Sequence, residues 1–135
     1  MLIHRTTDYA IRLLCCVAGA KNPVPSSKLA VDLGVSPRYV LHFGAMLREA
    51  GFVQVTGGPA GGFSLARSPE NISLWDIFTC MENAEGLVPT APKGTALGEF
   101  YTMVEEEFRA KLQGMTLEKL CRQKREPEKR KAAKR

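Results

Sequence analysis

The spacing of apolar positions predicts a mainly helical chain with one short β-hairpin. Ile11, Leu14, Cys15 and Ala18 repeat at i, i+3, i+4 and i+7, which makes one apolar stripe on a helix over 8–19. Thr7 is placed to cap that helix, and Asp8 in its first turn suits the positive end of the helix dipole. Lys21-Asn22-Pro23-Val24-Pro25 ends the pattern. Ser26 or Ser27 then caps a short helix whose Leu29, Ala30 and Leu33 point inward, and Gly34 closes it in a left-handed turn. Ser36-Pro37 opens the next helix with a hydroxyl cap and a proline at the first helical position. Val40, Phe43 (or Gly44) and Leu47 form its buried face, and Gly51 ends it.

From Phe52 the period changes to two. Residues 52–56 alternate, Gly57 to Gly62 turn, and residues 63–66 return. Six residues rich in glycine are too many for a tight hairpin, so the tip is expected to project as a wing. Ser73 with Asp76 makes an acidic capping box ahead of Leu74, Ile77, Phe78 and Met81. Residues 84–95 read as a loop. A long helix near 95–113 carries Leu97, Phe100, Tyr101, Val104, Phe108 and Leu112 at helical period, and Thr116 caps a last short helix. The expected organisation is a winged helix-turn-helix domain over 1–83, a loop over 84–95, dimerisation helices over 96–121 and a disordered basic tail over 122–135.

Two short helices joined by Gly34-Val35 spell a helix-turn-helix, with Ser36 opening the helix that would enter the major groove. Ser36, Arg38, Tyr39 and His42 supply polar groups there. Ser26, Ser27 and Lys28 are counted with the DNA-contacting set, as are Gly58, Gly61 and Gly62 of the wing, where glycine lets backbone N–H groups come close to DNA. The long helix has more apolar residues than one buried face needs, so Leu97, Tyr101, Val104 and Phe108 are expected to form the seam of a homodimer, which suits a palindromic operator.

Charge adds less than the pI of about 9.2 suggests. Residues 122–135 hold eight basic and two acidic side chains, net +6, so the other 121 residues sum to −1 of the overall +5. The basic character belongs to the tail. Cys15, Cys16, Cys80 and Cys121 form no C-x-x-C pair, which argues against zinc-ribbon and thioredoxin-type sites. The glycine-rich tip lacks the Gly-Lys-Ser/Thr ending of a phosphate-binding loop. Glu105-Glu106-Glu107 lies on a helix facing solvent, and His4 and His42 have no nucleophile or metal partner at useful spacing, so no enzyme is expected. No apolar run is long enough to span a membrane and no secretory pattern opens the chain, so a cytoplasmic location is expected.

Several segments resemble the Rrf-two type winged-helix transcription regulators, the IscR/NsrR/CymR-like family. They are Thr6-Thr7-Asp8-Tyr9-Ala10-Ile11-Arg12, Val35-Ser36-Pro37-Arg38-Tyr39-Val40, the wing from Gly58 to Arg67, Ile72-Ser73-Leu74-Trp75-Asp76-Ile77, and Thr116-Leu117-Glu118-Lys119-Leu120. The resemblance implies a DNA-binding repressor acting as a dimer, with Arg12 on a phosphate, Ser36, Arg38 and Tyr39 at the major groove and the wing at the minor groove. Cluster-binding members carry three cysteines in the loop before the long helix. Loop 84–95 has none, and Asp8, at a position that supplies an acidic ligand in some members, cannot hold iron alone. No cofactor is therefore expected. The family's wing arginine is replaced by Gly57, and Leu41 stands where some members have a polar base reader. The expected signal is a small molecule near loop 84–95, a partner protein, or thiol oxidation at Cys15-Cys16. The alternative reading is an interaction module that kept the fold and lost specific DNA binding.

Overall fold

A computed structural model of the chain describes residues 3–82 and 92–122. Most of loop 84–95 and nearly all of the basic tail lie outside them, and with them the expectations of an effector site and a disordered end. The described elements run α1 (Arg5–Ala18), α2 (Ser26–Leu33), α3 (Pro37–Glu49), β1 (Val53–Thr56), β2 (Gly62–Leu65), α4 (Leu74–Met81) and α5 (Ala96–Gly114), with a 3-10 turn at Pro69–Asn71. A further helical turn covers 117–122.

The first helix starts earlier than its sequence suggests. Thr7 is not its cap but lies inside it, fully buried. His4 occupies the N-cap, and its backbone N–H donates to Glu82 Oε1 at 2.8 Å, so a carboxylate from the far end of α4 does the capping. The buried face is Thr7, Ala10, Leu13, Leu14 and Val17, while Ile11, Cys15 and Ala18 are only partly covered. The helix is apolar on adjoining faces, and packing chose the one with Leu13 and Val17.

Neither Ser26 nor Ser27 caps α2. Pro25 is the N-cap residue, and its carbonyl accepts from Lys28 and Leu29 at 3.1 Å. The helix starts one residue early because Val24 is pinned into the sheet. Val24 N–H donates to Phe63 O at 2.9 Å, and Phe63 N–H returns to Val24 O at 2.8 Å. This single residue acts as a third strand beside β1 and β2, whose antiparallel register pairs Val53 with Leu65 and Thr56 with Gly62. Gly62, with φ +152°, runs so close to the Val24 backbone that a Cβ would collide with it.

The expected caps appear at four other places, one of them Thr116, whose Oγ1 accepts from Lys119 N–H at 3.2 Å ahead of the last helical turn. Gly34 is left-handed at φ 70°, and Val35 N–H reaches back to Ala30 O at 3.0 Å, which folds the turn between α2 and α3. Ser36 Oγ accepts from Tyr39 N–H at 3.1 Å. Ser73 and Asp76 exchange both bonds of a capping box, at 3.1 and 3.0 Å. One core joins α1, α2, α3, both strands and α4 through Leu13, Leu14, Leu29, Val40, Phe43, Leu47, Phe63 and Ile77. Leu117 is fully buried in the same core. The segment around it is stitched on by Leu74 N–H to Met115 O at 2.9 Å and Leu117 N–H to Ile72 O at 2.8 Å. The last helical turn, expected with the dimerisation helices, thus completes the winged-helix core.

Against the described residues, α5 fully buries none of its side chains. Thr95 Oγ1 accepts from Gly98 N–H at 3.1 Å to cap it. Phe108 rests edge-on against Phe78, with centroids 5.2 Å apart, and the Arg109 guanidinium lies over Trp75 at 5.2 Å. Leu97, Phe100 and Met103 are 54%, 53% and 49% exposed. No helix among the described residues is long and apolar enough to cross a membrane.

Candidate nucleic-acid interface

The outward side of α3 and the adjacent hairpin form the candidate interface. Val40, Phe43, Gly44 and Leu47 anchor α3 on the core, which leaves Arg38, Leu41, His42, Ala45 and Arg48 exposed on the opposite side. The Ser36 cap and Pro37 fix where that exposed face begins. Ser36 and Arg38 are both exposed at the first turn, as an N-terminal reading position needs.

Tyr39 differs from its neighbours. Its ring packs edge-on against Tyr9 at 5.7 Å and Phe43 at 5.1 Å, and its hydroxyl shares a 3.1 Å hydrogen bond with Thr6 Oγ1. It ties α3 to α1. The exposed His42 ring stacks on its outer side at 6.4 Å. Tyr39 was expected at the major groove, and the structure places it partly covered between α1 and α3.

Arg12 is exposed on α1. It pairs with Asp8 at 3.0 Å and lies over the Tyr9 ring at 5.5 Å. Lys28 and Ser27 are exposed in the first turn of α2, and Ser26 is half-covered beside the hairpin. Arg48 was not singled out in the sequence, although it continues the exposed side of α3 from Arg38 and Ala45 by helical spacing.

The wing glycines divide. Gly58 is exposed at the tip, at the start of a turn closed by Gly61 N–H to Gly58 O at 3.0 Å. Gly61 is buried, packed against the carbonyls of Thr56 and Gly57. Gly62 is half-buried against Val24. Expected as points of DNA approach, Gly61 and Gly62 instead let the hairpin close on itself and on the chain leading to α2. Between α3 and the hairpin runs a groove of about 310 Å³, lined by Leu41, Ala45 and Arg48 on one side and Val55, Thr56 and Phe63 on the other.

This geometry is that of known winged-helix regulators. The fold matches CymR, described as the global cysteine regulator of B. subtilis, with a TM-score of 0.82, 23% identity and coverage of 90% of this chain and 96% of that one. The profile of the Rrf2 family, described as iron-dependent transcriptional regulator, matches residues 3–123. The chain belongs to the Rrf2 family. Among curated Rrf2 relatives, protein rrf2 of Nitratidesulfovibrio vulgaris is 33% identical over 90 residues, which is 65% of this chain and 60% of that protein. The HTH-type transcriptional regulator IscR of Vibrio campbellii is 27% identical over 92 residues, 67% of this chain and 55% of its own length. The match thus spans little more than half the length of these Rrf2 proteins.

The family description names iron, so the donor set of this Rrf2 chain matters. Among the described residues no three of His, Cys, Asp and Glu converge as metal ligands. Cys15 and Cys16 sit on α1, Cys80 on α4 and Cys121 on the last helical turn, all partly covered, and residues 83–95 add no cysteine. Asp8, the candidate acidic ligand, is engaged by Arg12. Thiolates supply the holding power of an iron–sulfur site, and these donors do not fit one.

Proposed function

We propose that this Rrf2 chain is a transcription regulator that binds a palindromic operator in double-stranded DNA as a homodimer, represses, and works in the cytoplasm without an iron–sulfur cluster. The observation that carries this reading is the start of α3. A hydroxyl-capped helix presents Ser36, Arg38 and His42 to solvent while Val40, Phe43 and Leu47 lock its other side on the core. A rigid helix with exposed donors at its N-terminal turn is the arrangement that reads base edges. Tyr39 acts by holding that helix against α1. Arg12, Lys28 and Arg48 supply phosphate contacts around it, and Gly58 brings the wing tip to the duplex.

The dimer is supported by α5. Leu97, Phe100 and Met103 expose large apolar side chains in one stretch, and Tyr101 and Val104 are only half-covered. Exposed apolar surface of this kind marks a partner surface. Of the four seam residues expected, Phe108 also packs within its own chain, edge-on against Phe78.

Genomic DNA selection followed by anisotropy titration at several salt concentrations tests the reading. Selection of a palindrome, with log affinity falling by about 0.9 per neutralised phosphate for each unit of log salt, is the expected outcome. Sedimentation of the same sample should give twice the 14.8 kDa chain mass. A folded dimer that selects no sequence overturns the operator reading and leaves the interaction module.

A further inference from the structure

The reading side of α3 is not uniformly polar. Leu41 stands one helical turn beyond Arg38 and is 54% exposed, on the side of α3 away from the buried Val40, Phe43, Gly44 and Leu47. Ala45 is exposed one turn further on. Across the groove Val55 is 45% exposed, on the hairpin face that looks toward them. Among the described residues, Arg48 is the charged residue that lines the groove, and no carboxylate lines it. An apolar strip beside Arg38 and Arg48 suits an occupant that is polyanionic overall and offers an apolar group locally. Duplex DNA meets both terms, because thymine's C5 methyl is the apolar feature of base edges in the major groove.

We infer that Leu41, backed by Ala45, is a specificity-determining residue that selects thymine at one position of each half-site through its C5 methyl. This rests on the proposal that α3 is the recognition helix. Leu41 cannot donate or accept a hydrogen bond, so its discrimination comes from burying the methyl and from rejecting a cytosine amino group that it would leave unpaired. Val55 and the groove give the aliphatic strip a continuous apolar wall toward the wing.

The test uses the full chain and its selected operator, with each thymine of one half-site replaced in turn by deoxyuridine, which removes only the methyl. At one position the wild-type affinity should fall about fourfold, the worth of one buried methyl-sized group. Leu41→Ala should bind the unmodified operator correspondingly more weakly and should be indifferent to deoxyuridine at that same position. Leu41 is exposed, so an unchanged melting curve confirms that the variant folds. Salt-dependent operator binding with no sensitive thymine, or with equal deoxyuridine losses in both proteins, overturns this inference and leaves the proposed function standing. Failure to select any operator overturns both.

Discussion

His4 and Glu82 clasp the beginning of α1 to the end of α4. The His4 backbone N–H donates to Oε1 at 2.8 Å, and its imidazole Nδ1 meets Oε2. The Glu82 side chain is buried while the imidazole is exposed, so the carboxylate is the member held by the fold. Burial alone would raise the Glu82 carboxyl. The His4 N–H, the His4 ring and the neighbouring Thr7 hydroxyl outweigh it and hold the pKa below the ordinary 4.5. Thr7 Oγ1 is buried and makes no well-directed hydrogen bond among the described residues, and its hydroxyl helps to lower the Glu82 carboxyl.

The sign of the pH dependence follows. A depressed folded-state pKa favours the native state above the unfolded value of 4.5, and that contribution is lost as pH falls through the lower folded value. Glu82→Gln removes the charge while keeping the shape. It should cost about 1.5–3 kcal/mol at neutral pH, the range for a hydrogen bond to a charged group, and flatten the acid side of the stability curve. Urea unfolding from neutral pH into the acid range reads both.

Gly44 sits under the Phe63 ring, where an added Cβ would lie 2.8 Å from Phe63 Cζ. Gly44→Ala should therefore destabilise by about 1–3 kcal/mol through overpacking, despite the better helix propensity of alanine. Pairing it with Phe63→Leu should recover part of the loss, because the clash is with the far end of that ring. Thermal unfolding of the two single variants and the double variant measures the coupling.

Ser36→Ala removes the hydroxyl that accepts from Tyr39 N–H. About 1 kcal/mol of stability should go with it. Operator affinity should fall by more than stability alone explains, since the first turn of α3 would fray where Arg38 stands. Melting curves and anisotropy on one preparation separate the two effects.

Burial pushes the Cys80 thiol up, and Arg67 offsets this only in part. The thiolate is the reactive form, so Cys80 should alkylate with iodoacetamide more slowly at neutral pH than free cysteine and accelerate as pH rises. Rapid modification of Cys80 at neutral pH in folded protein, followed by mass spectrometry, would instead point to thiol-based control.

The segments legible in the sequence are those whose cause is local. Ser36-Pro37, Gly34 and the Ser73–Asp76 box lie within a turn of the groups they satisfy, and all stand where the residues put them. What was illegible is held from a distance. The start of α1 is set by Glu82, 78 residues away, so Thr7 looked like a cap and became core. Val24 pairs with Phe63 as a strand of one residue, which has no period to detect, and that pairing moved the start of α2 onto Pro25. At the candidate interface, Ser36, Arg38 and His42 were legible as exposed polar groups. Tyr39, Gly61 and Gly62 were not, because each has a chemistry that serves contact and packing equally well.

The Val24–Phe63 pairing also limits what can be exchanged between relatives. Because these residues trade both backbone hydrogen bonds, the base of the hairpin is fastened to the connection that precedes α2. A graft of the whole hairpin from another protein would carry half of that joint and leave the other half behind. The interchangeable cassette is the tip between Thr56 and Gly61, where length and charge can vary while the offset between α3 and the wing stays fixed. Chimeras cut there should keep the spacing of the recipient and take only the local preference of the donor.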